Sequence, residues 1–258
     1  MLFLQPINES EVAEITTADI LAECIQYQLE VMEENEALFQ ADYLFHSTLD
    51  ESAEDAGEKK AGFGRRVIDF IKKQILRISA MFGRIATWVD QLVKKLINKF
   101  RKEKNILAPK GTARLDTAIR NLSKLMDRID EAIKKGTKGG DIESSLHSSL
   151  DPVTKEVAAA MEVVEKSLAD GVFSDVTSIS DVNEMSATAK ADYKRASELK
   201  ATATASYGNE VVNGDMSKLR ETVTAQQRAF GVYVRAIHLK ARALLKASSN
   251  TRKEGNAS

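Results

Sequence analysis

Three histidines, His46, His147 and His238, and one cysteine, Cys24, are the side chains best suited to metal or nucleophilic chemistry. Their spacing supports neither. No two histidines stand three or four residues apart, the separation that sets two imidazoles on one helical face for a metal, and a single cysteine does not build a structural zinc site. Cys24 falls beside an apolar stripe among acidic residues, which raises a thiol's pKa and disfavours the thiolate. Glu33, Glu34 and Glu36 lack the spaced ligands and central glycine of a calcium loop and read as a solvated helix face. Gly136, Gly139 and Gly140 follow a run of helical periodicity instead of a strand, so they read as a helix stop and not as a phosphate cradle. Walker, dinucleotide-binding and His-Glu-x-x-His patterns are missing from the sequence. The expectation is a non-enzymatic chain with no cofactor, no metal and no small-molecule substrate.

The remaining chemistry is charge, and its order along the chain matters more than its total. The 258 residues carry a net charge of −1. Residues 1–58 nevertheless hold fifteen Asp and Glu and no Lys or Arg, while residues 59–110 hold fifteen Lys and Arg against Asp69, Asp90 and Glu103. Taken alone, residues 59–258 carry +14. A −15 leader followed by a +12 segment is expected to attract it and to mask a basic surface until the two are separated.

These charges need elements to hold them. Few prolines and abundant Ala, Lys, Glu and Leu favour helices, whose side chains lose little rotamer freedom there. The expected fold is all-α, a multi-helix bundle with one long cationic amphipathic helix and short polar or glycine-containing connections. Residues 1–48 form an acidic amphipathic leader: Asn8 and Glu11 have capping-box spacing, and Val12, Ile15, Ala18, Ala22, Ile25, Leu29 and Met32 recur three or four apart. Residues 49–62 read as a polar linker. In the cationic helix, placed over 63–107 with its centre from Arg65 to Lys102, Ile71, Ile75, Ile78, Phe82, Ile85, Val89, Leu92 and Leu96 alternate four and three apart, a sustained heptad pattern. Phe70, Met81, Trp88, Val93, Ile97 and Phe100 widen the stripe.

A C-terminal bundle is expected over 108–247, with a polar tail over 248–258. Leu115, Ile119, Leu122, Met126, Ile129 and Ile133 make one helix face. The next helix starts with Asp151 as N-cap and Pro152 in the first position, runs through Val157 and Val164, and stops at Gly171. A Ser/Asp-rich connection, Phe173 to Ser180, leads to an Ala/Lys/Thr-rich helix ending near Tyr207 and Gly208; Asn213-Gly214 is a turn. Leu219, Val223, Phe230, Val234, Ile237 and Leu244 mark the face of the last helix. The opening Met-Leu-Phe-Leu-Gln-Pro has no basic n-region and no eighteen-residue apolar run occurs, so neither a signal peptide nor a spanning helix is expected.

Three partners fit the cationic helix, and they differ in what its apolar stripe meets. If the stripe simply joins the chain's own core, Arg65, Arg66, Lys72, Lys73, Arg77, Arg84, Lys94, Lys95, Lys99, Arg101, Lys102 and Lys104 stay solvated and no partner is required; a separate reading has these cations contact the backbone of DNA without reading sequence. If it meets lipid, the same cations flank Trp88 and several Phe as in a helix lying on an anionic membrane surface. If it meets a second copy, the heptads build a homo-oligomeric scaffold.

The opening Leu-Gln-Pro-Ile-Asn-Glu before an acidic helix, the Ile85-Ala86-Thr87-Trp88-Val89 aromatic-basic helix and the Phe230 to Lys246 helix together resemble the internal head, or inner-body, proteins of giant tailed bacteriophages. The resemblance spans the chain loosely. It implies a virion structural protein made in the host cytoplasm, carried in the phage head with DNA and other virion proteins, and trimmed of an N-terminal propeptide. Head-maturation proteases of such phages cleave after a Glu preceded two residues earlier by a small or aliphatic residue. Leu49-Asp50-Glu51 and Ser52-Ala53-Glu54 fit in the linker, which makes Glu51, Ser52, Ala53 and Glu54 the expected processing region. The same short pattern also occurs at Leu21-Ala22-Glu23, Ile129-Asp130-Glu131, Ala160-Met161-Glu162 and Ala196-Ser197-Glu198.

Overall fold

A computed structural model describes residues 56–100, 106–143, 145–205 and 216–254. Among them the chain forms α1 (Ala56–Phe100), β1 (Ile106–Pro109), α2 (Thr112–Gly136), α3 (Ser145–Asp170), β2 (Phe173–Thr177), α4 (Ile179–Thr204) and α5 (Met216–Glu254). This is the expected all-α bundle with one small ribbon added. The chain divides into two compact units, Met1–Lys60 and Ala61–Ser258, and the packing below belongs to the second. The leader over 1–48, the Glu51–Glu54 processing region and the Asn213-Gly214 turn lie outside the described residues.

All eight heptad positions of α1, from Ile71 to Leu96, are buried, and Val93 and Phe100 join them. The stripe meets α4 and α5. The Phe82 ring lies edge-on to Phe230 at 4.6 Å and 6.3 Å from Tyr233, the buried Gln74 accepts a hydrogen bond from the Gln227 amide at 2.9 Å, and the Ser79 hydroxyl donates to the Ala196 carbonyl at 2.6 Å. Burying side chains of this size stabilises the bundle by about 1.5–3 kcal/mol each. Phe70, Met81, Trp88 and Ile97 are only half-buried, as expected of residues at the margins of the stripe.

The ends of α1 differ from the sequence boundaries. Among the described residues the helix spans Ala56–Phe100, so the last seven residues of the 49–62 linker are helical, and it does not run to 107, because Ile106–Pro109 is a strand. Ala56, Glu58, Lys59, Lys60 and Ala61 are good helix formers, and Gly57 and Gly62 each cost about 1 kcal/mol, too little to end a long helix already anchored further along. Beyond its other end the pattern changes period: Ile106 and Ala108 are buried while Leu107 is exposed, which is a strand.

That strand pairs antiparallel with β2, Ile106 opposite Thr177 and Leu107 opposite Val176, with a register shift between Ala108 and Pro109. The expected Phe173–Ser180 connection is therefore half strand. The ribbon ties the chain entering α2 to the chain entering α4, and Lys110 N–H extends it by donating to the Val172 carbonyl at 3.1 Å. The α2 face from Leu115 to Ile133 is wholly buried, mainly against α3 and α5. α2 ends at Gly136, where Gly139 (φ 78°) and Gly140 turn the chain back, Gly140 N–H reaching the Lys135 carbonyl at 3.0 Å.

α3 corrects another boundary. It starts at Ser145, so Asp151 is not its N-cap and Pro152 sits inside the helix. Proline removes one backbone bond there, but the added turns bury Leu146 and Leu150 almost completely. Tertiary burial outweighs the local stop signal. α4 opens on a capping box in which the Asp181 carboxylate accepts from Ser178 N–H at 2.7 Å, and it ends at Thr204, short of Tyr207. α5 runs to Glu254 through most of the expected polar tail, with Ser248 buried. Its six sequence-marked positions, Leu219 to Leu244, are all in the core.

Candidate functional site

The cationic residues of α1 sort by the face their spacing gives them. Lys73, Arg84 and Lys94 are exposed, Lys72 and Arg77 half-buried at the flanks of the stripe. Lys94 also pairs with Asp90 at 2.7 Å, one turn back on the same face. Arg65, Arg66, Lys95 and Lys99 belong to α1, but their side chains lie outside the described residues, as do Arg101, Lys102 and Lys104 entirely. Trp88 does not project alone: its ring stacks on His238 of α5, centroids 6.3 Å apart and planes inclined by 21°. Burial and the nearby Arg242 charge pull His238 down to about 4, so its imidazole is neutral at neutral pH. α1 thus offers basic side chains on a helix whose apolar face is already occupied.

Deeper in the bundle the structure assembles a polar cluster that the sequence did not reveal. Arg195 of α4 is buried, with its guanidinium 4.8 Å from the centre of the Phe82 ring. It pairs with Asp127 and with Asp130 (2.9 Å) from α2 and with Asp192 (3.3 Å) on its own helix, and donates to the Ser123 carbonyl at 3.2 Å. Asp192 accepts the Tyr233 hydroxyl at 2.8 Å, and Asp130 lies 2.6 Å from the Gln226 amide, both partners coming from α5. Burial pushes the Asp130 carboxyl up to about 8 and Asp192 to about 6, against the pull of Arg195 in both cases. Burial also acts to lower the Arg195 pKa, but Asp130 and Asp127 outweigh it and hold the guanidinium firmly charged. Burial and the Asp192 charge together keep Tyr233 protonated.

A second buried pair, Lys240 of α5 with Asp116 of α2 at 2.5 Å, borders a cavity of about 20 Å³, room for one water molecule. Burial raises the Asp116 carboxyl, with Lys240 opposing it. On the surface, an open cleft of about 660 Å³ runs along the end of α2. Four carboxylates, Asp127, Glu131, Asp141 and Glu143, face four cations, Arg128, Lys134, Lys135 and Lys138, so it favours neither sign of ligand.

Catalysis needs a nucleophile or base within reach of a substrate. The perturbed carboxyls of the cluster are instead occupied by Arg195, Tyr233 and Gln226. Among the described residues no group of His, Cys, Asp and Glu is arranged to hold a metal, and no helix is long and apolar enough to cross a membrane. The chain was compared with protein-family models, with curated proteins and with solved structures. It matches none of them.

A signal for the cluster is present in hindsight. Val182, Met185, Ala189, Asp192, Leu199 and Ala203 fall on one face of α4, so a carboxylate interrupts an apolar stripe, with Arg195 one turn further on. Charged residues in register with a buried face imply buried partners; the sequence gives no means of naming Asp127 and Asp130, some seventy residues away.

Proposed function

We propose that the chain is a non-enzymatic internal head protein of a tailed phage, packaged with DNA and processed near residues 51–54. The observation that carries this reading is the division of α1: Ile71, Phe82, Leu92 and the rest of the stripe are buried within the chain, while Lys73, Arg84 and Lys94 are exposed. A helix whose apolar face is spent on its own core has no such face left for lipid, and the same burial takes the heptad surface away from a second copy. Its cations are held on a rigid support, which suits contact with a regular polyanion.

The leader fits the same reading. Thirteen acidic and no basic residues precede Asp55 in a chain of net charge −1, so cleavage after Glu54 leaves residues 55–258 at +12. Cleavage would turn a nearly neutral precursor into a cationic product among DNA phosphates. Binding of the cleaved chain to duplex DNA between 50 and 200 mM salt is the test. Affinity should fall linearly on a log–log plot, equally for unrelated sequences, and the slope should shrink by about one for each of Lys73→Gln, Arg84→Gln and Lys94→Gln. A slope near zero, or binding unaffected by these substitutions, would sink the DNA reading.

A further inference from the structure

Three carboxylates meet one guanidinium at Arg195, and their burial is unequal. The side chains of Asp192, Arg195 and Asp130 are 2%, 5% and 16% exposed, whereas Asp127 is 67% exposed and its charge is carried by solvent. Two buried anions against one buried cation leave a surplus negative charge beside the Phe82 ring, and an uncompensated buried charge is strongly unfavourable. One proton removes the surplus. Asp192 is poorly placed to take it, since one of its oxygens accepts from Arg195 and the other from the Tyr233 hydroxyl. Asp130 has an adaptable partner: the Gln226 amide donates to a carboxylate in one orientation and, turned by half a rotation, accepts from a carboxyl in the other. The 2.6 Å separation suits an O–H···O bond at least as well as N–H···O.

The buried face of α4 carries few large apolar side chains. Its large apolar buried side chains are Val182, Met185 and Leu199, and Asp192 and Arg195 occupy the middle of its buried face. Its backbone meets α2 only sparingly. Of the elements around Arg195, α1 brings the uncharged Phe82 ring, α2 brings Asp127 and Asp130, α4 brings Asp192, and α5 brings Tyr233 and Gln226.

We propose that a proton held on Asp130 latches α4 onto α2 and α5, and that losing it as pH rises loosens α4 while the core of α1, α2 and α5 stays closed. The sign follows from linkage. A carboxyl raised on folding stabilises the fold fully below the ordinary carboxylate range near pH 4, and that contribution fades as pH climbs, for Asp130 through about 8. The latch is tightest in acid, weakens steadily as pH climbs from about 4, and has lost this contribution once pH passes about 8.

Hydrogen exchange of the full chain at pH 6 and pH 9, corrected for intrinsic rates, reads the latch directly. Amides in the middle of α4 should lose at least about tenfold in protection at pH 9 relative to those of α2 and α5. Asp130→Asn, which mimics the protonated carboxyl, should hold the two values within about twofold of each other. Equal wild-type protection at both pH values, or a full pH effect surviving in Asp130→Asn, overturns the proposal. Should that variant fail to fold, carboxyl ¹³C titration of the wild-type chain decides the matter. An Asp130 that titrates above pH 7 supports the latch, and one already ionised at pH 6 refutes it.

Discussion

The Asp175 carboxylate of β2 accepts the backbone N–H of Gly111 at 3.1 Å and thereby caps a helix that begins 63 residues earlier in the chain. The same oxygen takes the Ala113 N–H at 3.0 Å. Gly111, at the N-cap position, has no side chain to do this, so the ribbon supplies both the hydrogen bonds and the negative charge that the helix N-terminus favours. Asp175→Ala should cost about 1–2 kcal/mol, read as a lower urea midpoint at unchanged m, and Asp175→Asn should cost less. A midpoint unmoved by the alanine would show that the cap is redundant.

Gly111 itself is held at φ 94°, and a Cβ there would stand 2.6 Å from Val163 Cγ1. Gly111→Ala therefore meets both backbone strain and a clash with α3, and should destabilise by about 1–3 kcal/mol. Pairing it with Val163→Ala should recover the steric part alone. Thermal unfolding of the two single variants and the double variant separates the contributions.

The Lys240–Asp116 pair is 6% and 8% exposed in its side chains. Lys240→Met leaves a buried carboxylate without its cation and should cost about 3–5 kcal/mol, whereas the double variant Lys240→Met/Asp116→Leu should be far milder. A double-mutant cycle by urea denaturation gives the coupling. Additive losses would mean that the two groups do not depend on each other.

Trp88 is the only tryptophan, so its fluorescence reports its contact with His238. Protonating His238 places a quenching cation on the indole, and quenching should set in with a midpoint near pH 4, not near the ordinary 6.5. Because folding depresses this pKa, the imidazole's contribution to stability is present above about pH 6.5 and is lost as pH falls through about 4. His238→Phe should abolish the transition in fluorescence.

Much of this fold was legible because its apolar periodicities are long. The eight heptad positions of α1, the six marked positions of α2 and the six of α5 are buried without exception, and Gly136 ends α2 where the glycine cluster placed the stop. What escaped was non-local. The ribbon rests on two segments of four and five residues, one containing a proline and the other reading as a polar loop, and each becomes a strand only by meeting the other. Pro152 resembled a helix start, yet Leu146 and Leu150 gain enough burial to carry the helix past it. At the candidate site, spacing was enough to divide α1 into apolar and cationic faces. The Arg195 cluster draws on α1, α2, α4 and α5, and no single-helix pattern contains it.

Peptide mapping by mass spectrometry of purified, nuclease-treated virions from cells producing this chain tests the proposed packaging and processing most directly. A protein packaged in the head and processed in the linker is recovered from the particles with a new N-terminus at Ser52 or Asp55. Its absence from the particles, or a stoichiometric yield of peptides from residues 1–54, contradicts that role.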